Sequence, residues 1–220
     1  MIRPSLVLLA GAGLALVLAA TPIRAQIVEV SDKRFEITPY AGYQWGGSLD
    51  TDLGGVAPDG SLNLKDSFAW GVIMSFLAYD NGAVELTYHR QDTDIEFRTR
   101  GAAPTPLGGF AMNYLQVGGR QQFGNGALKP FASISLGIAL LDPKQDGLET
   151  ATRFSWSFGG GAQYMFASGR VGLRTDLKMW MTPVPSGEYQ TWCDFYGCFV
   201  SEGTSWINQG QVSGGLVFAF

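Results

Sequence analysis

Charge is scarce in this chain of 220 residues: 15 basic and 19 acidic side chains, 15% of the whole, with a net charge of −4. A protein that grips nucleic acid needs a basic face, and this balance excludes one. Histidine occurs once and cysteine twice, which leaves too few of the usual ligands for a zinc site. After residue 20 no apolar run is long enough for a transmembrane helix. Helical periodicity is equally hard to find. What the chain has is glycine, 30 residues of it, and aromatics at 13%. That glycine share is close to twice the usual figure of about 7%, too high for a coiled coil, and it lacks the strict triplet period of collagen. Few charges and many aromatics also exclude a disordered chain.

The N-terminus reads as a targeting segment. Arg3 precedes residues 6–20, which are only Leu, Val, Ala and Gly, and Ile23-Arg24-Ala25 puts a small residue before Gln26. The run is shorter than the roughly 20 residues of a membrane-spanning helix, so it reads as a secretory signal peptide rather than an anchor. Cleavage is expected after Ala25, with Ala20 as second choice. Loss of Arg3 and Arg24 leaves 13 basic against 19 acidic residues, a net charge of −6. Residues 26–220 then form one exported domain in an oxidising compartment.

Across those residues alternation with period two is nearly continuous. Phe35, Ile37, Tyr43 and Trp45 alternate with polar or small residues. The pattern returns in Phe68, Trp70, Val72, Met74 and Phe76, in Val84, Leu86 and Tyr88, and in Leu115, Val117 and Phe123. It continues through residues 130–140, 154–166, 171–181 and 206–220, which makes eight strands. Connectors 47–66, 99–110, 142–152 and 183–204 are long; 78–82, 124–128 and 167–169 are short and carry Asn81-Gly82, Asn125-Gly126 and Ser168-Gly169. Long loops at one end, short turns at the other and an even strand count describe an all-β, eight-stranded, antiparallel up-and-down transmembrane barrel, with extracellular loops and periplasmic turns.

Volume decides which face is which. Eight strands enclose a lumen only just wide enough for side chains. The set holding Phe68, Trp70, Phe154, Trp156, Phe158, Tyr164, Phe218 and Phe220 cannot fit there, whereas the opposite set is rich in Gly, Ser, Gln and Thr. The apolar set therefore faces lipid, and its aromatics fall near the two strand ends, as interface girdles do. Pro39 stands mid-strand where it cannot donate to a ladder, and a bulge is expected there.

The C-terminus, Ser213-Gly214-Gly215-Leu216-Val217-Phe218-Ala219-Phe220, together with the opening at residues 35–43, resembles the small outer-membrane barrel superfamily: the membrane domain of outer-membrane protein A and its X and W relatives. The resemblance implies residence in the outer membrane of a Gram-negative bacterium. It also implies contact with lipid and lipopolysaccharide, and handling by the barrel-assembly machinery through Ser213, Gly215, Phe218 and Phe220. Members range from passive stabilisers to adhesins to lipid-modifying enzymes, so the fold leaves the role open.

Three groups of residues invite a functional reading. His89 points into the lumen, but the lipid A deacylase pattern places Ser two positions on, and here that position is Gln91. A structural histidine and no catalytic residue are expected. Asp92, Asp94 and Glu96 alternate on one face where the third strand leaves the membrane, while Asp50 and Asp52 lie in the first long connector. Without the spacing of a calcium loop they read as a solvated acidic rim, with no metal and no cofactor. Cys193 and Cys198 share the last connector with Trp192, Phe195, Tyr196 and Phe199, and in an exported protein such a pair forms a disulfide. The aromatic patch suits contact with a partner or headgroups, and equally packing across the mouth.

Alternation also points Glu36, Glu85, Arg120, Arg174, Asp176 and Lys178 inward, three negative and three positive charges that should pair and plug the lumen. The expected protein is a monomeric, non-enzymatic outer-membrane barrel with a structural or surface-interaction role, its loops available to an extracellular partner. The rival readings are a lipid-modifying enzyme and a narrow barrel that transports a small hydrophobic molecule.

Overall fold

The computed structural model describes residues 35–51, 60–79, 81–99, 103–124, 126–144, 147, 149–167, 169–194 and 197–220, the side chains of 49–51, 60, 79, 99 and 186–203 excepted. The expected signal peptide, 1–25, lies outside them. The wall consists of β1 (Phe35–Gly46), β4 (Ser67–Tyr79), β5 (Gly82–Thr99), β6 (Thr105–Gln122), β7 (Leu128–Pro143), β8 (Ala151–Met165), β9 (Val171–Asp194) and β10 (Gly197–Ala219). Each wall strand pairs antiparallel with the next, and β1 pairs with β10, so the sheet closes as an eight-stranded barrel. Closure satisfies the backbone internally, which a chain in hydrocarbon requires.

The alternation sorts the two faces. Phe68, Ile134 and Leu177 are about 60% exposed on the outside, whereas Gln44, Ala69, His89 and Trp180 are fully buried inside. In water such an exterior would be an enormous apolar patch; in a bilayer it is the surface the solvent demands.

Three of the expected long loops contain strand, connector 99–110 through Thr105–Phe110 of β6. Connector 47–66 contains β2 (Ser48–Thr51) and β3 (Gly60–Leu64), a hairpin whose second strand lies along β5 from Ile95 to Thr99. Gly46 and Gly47, at φ of 84° and 98°, turn the chain out of β1 into this hairpin in a region that residues with a Cβ rarely enter. The hairpin escapes a reading by alternation because its strands are short and polar, and the upper part of β5 supplies their ladder. In connector 183–204 the β9–β10 ladder runs on from Trp206↔Pro183 to Gly197↔Asp194, with a register shift between Glu202 and Thr204. β8 stops pairing with β9 at Trp156↔Met181, and β1 stops pairing with β10 at Gly46↔Gln209. The last hairpin thus rises as a two-stranded ribbon. Pro183 and Pro185 stand at its foot, where an edge strand tolerates the loss of N–H donors.

The bulge expected at Pro39 is absent. β1 and β4 pair without a shift from Phe35↔Phe76 to Gln44↔Ser67, through Pro39↔Val72. Toward β10 the ladder instead skips from Ile37↔Phe218 to Tyr40↔Gly215 in unchanged register. The missing donor is absorbed as a gap in one seam, not as an extra residue.

Candidate functional site

The lumen is packed in three layers. Nearest the short turns is the charge network. Arg174 donates to both oxygens of Glu85 at 2.6 and 3.2 Å, and from Nε and Nη2 to both oxygens of Asp176 at 2.9 Å. Arg120 Nη2 donates to Glu36 Oε2 at 2.8 Å, and its Nε stands 3.2 Å from Glu85 Oε1 as an ion pair. Its Nη1 also reaches Gln163 Oε1, and Gln163 Nε2 donates to Glu36 Oε1 at 3.0 Å. Glu85 is therefore shared by two guanidiniums, and the Phe131 ring lies 4.5 Å from Arg174 Cζ. Buried ions persist only with this degree of pairing. Lys178 departs from the expectation: it is buried but lies beyond ion-pair distance of any carboxylate among the described residues, with its Nζ 5.7 Å from the Trp180 ring.

Above the charges runs a layer of amides and aromatics. Tyr40 OH donates to His89 Nδ1 at 3.0 Å, and His89 Nε2 donates to Gln44 Oε1 at 2.6 Å. Gln44 Nε2 donates to Gln209 Oε1, Gln209 Nε2 to Gln91 Oε1, and Gln91 Nε2 to Ser67 Oγ, at 2.8–3.0 Å. Every link in this chain runs the same way, which sets the histidine tautomer and each amide orientation. Gly71 makes room for the first link, since a Cβ there would meet Tyr40 OH at 2.7 Å. His89 stacks on Trp180 with centroids 4.6 Å apart, and Trp180 Nε1 donates to Gln211 Oε1 at 2.7 Å. The described hydrogen-bond partners of His89 are a phenol and an amide, with neither a serine nor an acid among them.

The third layer closes the outer mouth and is apolar: Leu64, Phe110, Met112, Leu141, Val184 and Ile207 pack over Tyr114 and Trp180. Sequence reasoning missed it. The signal was there, because Met112, Leu141, Val184 and Ile207 keep the inward parity of Tyr114, Ala139, Trp180 and Gln209. Equating apolar with lipid-facing hid it.

At the rim, Asp92, Asp94 and Glu96 are partnered, while the side chains of Asp50 and Asp52 lie outside the described residues. Arg90 donates to both oxygens of Asp92 at 2.9 Å, and Lys144 donates to Asp92 at 2.7 Å. Lys65 lies 2.9 Å from Glu96 and 3.8 Å from Asp94. Those bonds, from Arg90 first and then Lys144, hold the Asp92 carboxyl down to about 2. A depressed carboxylate stabilises the fold above its unfolded value and loses that contribution as pH falls toward its folded one. Acid titration of the refolded protein should therefore show a small weakening between about pH 4 and pH 2, with Asp92→Asn removing that part of the slope. An unchanged slope in Asp92→Asn would refute the assignment.

Ser213 and Gly215 face inward and Phe218 and Phe220 outward, with Phe220 N donating to Phe35 O at 2.9 Å. Cys193 and Cys198 occupy opposite positions of the β9–β10 ladder. Their side chains, the backbone of 195–196 and residue 52 lie outside the described residues.

A closed eight-strand ladder, an apolar exterior ringed by aromatics and a polar, filled interior define a transmembrane β-barrel. Solved structures with this architecture include neisserial surface protein A, with a TM-score of 0.54 and 14% identity over 84% of this chain and 97% of that one. OprG of Pseudomonas aeruginosa gives 0.55 at 9% identity, covering 86% and 97%. AlkL, determined in lipid bilayers, gives 0.55 at 11%, covering 90% and 95%. Such identities speak to the fold alone. No family model and no curated protein sequence matches the chain. The chain has the fold of these outer-membrane barrels.

Proposed function

We propose that this barrel carries out no chemistry and no axial conduction, and that its working surface is the outer end, where the rim and the β9–β10 ribbon meet partners outside the cell. The observation that carries this reading is the sequence of three filled layers across the lumen. An ion entering from outside meets an apolar plug, then a fully committed amide chain, then a salt-bridge network, with desolvation costs at each. The surroundings of His89 support the non-enzymatic part, since base, nucleophile and orienter must lie in mutual reach. The apolar outer layer favours one rival, a carrier for a small hydrophobic molecule, but the charged layer beneath opposes an axial path for such a solute. Refolded protein in a planar bilayer should show no sustained conductance. Steady openings would overturn the sealed lumen.

The disulfide belongs to this reading as the clip of the ribbon. Directly opposed residues of an antiparallel pair have Cα atoms about 4.5–5.5 Å apart, within the span a disulfide bridges. In the entropy model, closing so short a loop stabilises by about 2 kcal/mol. Intact protein from the cell envelope should have a mass lower by two hydrogen atoms and resist alkylation until reduced. Two freely alkylated cysteines in unreduced material would refute the bridge.

A further inference from the structure

The seam between β1 and β10, where the first wall strand meets the last, differs from the other seams of the membrane-spanning wall. Thr38 and Pro39 on β1, and Leu216 and Val217 on β10, have no partner across it, although pairing resumes on both sides in one register. The strands remain adjacent here: a Cβ on Gly215 would meet Pro39 O at 2.8 Å and Thr38 Cγ2 at 3.0 Å. Pro39 has no N–H to give the ladder here, and Thr38 Oγ1 is buried without a partner.

Two further features coincide with this gap. On the lipid side a groove of about 580 Å³ lies over it, lined by Pro39, Ala41, Gly214, Leu216, Leu173 and Thr175. Small residues at Ala41 and Gly214 leave the wall thin. On the lumen side the two strands are held unequally. β1 is tied across the lumen by Glu36 to Arg120 and by Tyr40 to His89. The inward residues of β10 beyond Gln211 are Ser213, Gly215, Val217 and Ala219, and among the described residues none makes a side-chain bond across the lumen. That stretch of β10 hangs on β9 alone, through the unbroken ladder Ser213↔Asp176 to Phe218↔Val171. Below the gap Glu36↔Ala219, the Phe220 N to Phe35 O bond and the Phe35 and Phe220 rings clasp the seam. Above it the ladder is intact to Gly46↔Gln209.

We propose that the barrel has a side window at Thr38–Pro39 and Leu216–Val217, which opens locally toward the lipid by β10 moving with β9 while β1 stays fixed to the lumen network. The window spans two residue pairs, about 7 Å along the strands, and lies in the half of the membrane nearer the short turns. It is distinct from the sealed axis: it joins the lipid groove to the edge of the charge layer without passing the mouth.

The test uses single thiols in full-length protein carrying Cys193→Ser and Cys198→Ser, refolded into phosphatidylcholine vesicles. Val217 and Ser135 are both buried and inward, but Ser135 sits where the β6–β7 and β7–β8 ladders are continuous. A lipid-soluble maleimide should label Val217→Cys at least tenfold faster than Ser135→Cys. Adding Pro39→Val, which restores the donor, should bring the two rates within about twofold. Equal labelling of the two thiols would overturn the window, and so would fast labelling of Val217→Cys that survives Pro39→Val in a heat-modifiable, folded barrel. If Pro39→Val does not fold, amide exchange on the unaltered protein decides. Whichever of the Leu216 and Val217 amides faces β1 should exchange at least tenfold faster than the amides of Ile134 and Ser135, and equal protection refutes the proposal.

Discussion

Replacing Arg174 by Ala should lower the unfolding free energy of the refolded barrel by about 3–5 kcal/mol, the cost of stranding buried partners. Arg174 supplies two bonds to Glu85 and two to Asp176. After its removal Glu85 keeps Arg120 at 3.2 Å and the Ser75 hydroxyl at 3.1 Å, but Asp176 loses its ion-pair partner within a buried site. The loss therefore centres on Asp176, and a companion variant can show it. Arg174→Met combined with Asp176→Asn removes one charge of each sign, leaves Glu85 its pair with Arg120, and should recover most of the stability, because a buried ionic cluster contributes little over a well-packed neutral one. Urea titration in lipid vesicles measures both. A loss below about 1 kcal/mol in Arg174→Ala would mean that water reaches the cluster, as for an exposed pair, and the sealed lumen would fall with it.

Trp180→Ala should cost a similar amount, about 3–5 kcal/mol, by a different route. The indole is fully buried, with ring centroids 4.6 Å from His89 and 4.8 Å from Tyr114, so its removal opens a void between two layers. It also removes the indole N–H that donates to Gln211 Oε1, and Gln211 Nε2 already has no partner among the described residues. Trp180→Phe keeps the stack and loses only the N–H, so a smaller drop of about 1–3 kcal/mol is expected. Near-ultraviolet circular dichroism and urea titration should rank the two variants in that order. Equal stability of Trp180→Ala and the parent would show that the aromatic layer carries no load.

Much of this architecture was legible because one physical rule acts twice. A lipid solvent selects apolar side chains at one parity, and a narrow lumen selects small or polar ones at the other, so Phe68 to Phe76 and Ser67 to Ser75 sort without any knowledge of partners. The inward charges followed from the same parity. Their pairing did not: nothing in the spacing of Glu85 and Arg174 says that they meet while Lys178 is left beside Trp180. The strand ends were the least readable part. Residues 48–51 and 60–64 have little intrinsic strand character and take their ladder from β5, and the ribbon of β9 and β10 continues through Pro183 and Pro185, residues that ordinarily signal a stop. Pro39 shows the converse case, where the sequence marked the defect but its resolution, a gap rather than a bulge, depended on the neighbour across the seam.

The ribbon has a mechanical consequence. Both strands continue into the membrane past the register shift between Glu202 and Thr204, β9 against β8 from Met181 down to Gly172 and β10 against β1 from Gln209 down to Gly215. Tension applied at the tip near Asp194 and Gly197 would travel along the strand axes and load those flanking ladders in shear, many hydrogen bonds at once, whereas a loop pulled sideways from a sheet edge unzips one bond at a time. A tether anchored in this way is compliant above the membrane, where two strands stand alone, and stiff below it. Under traction the arm would stretch and reorient long before the wall that holds it yields.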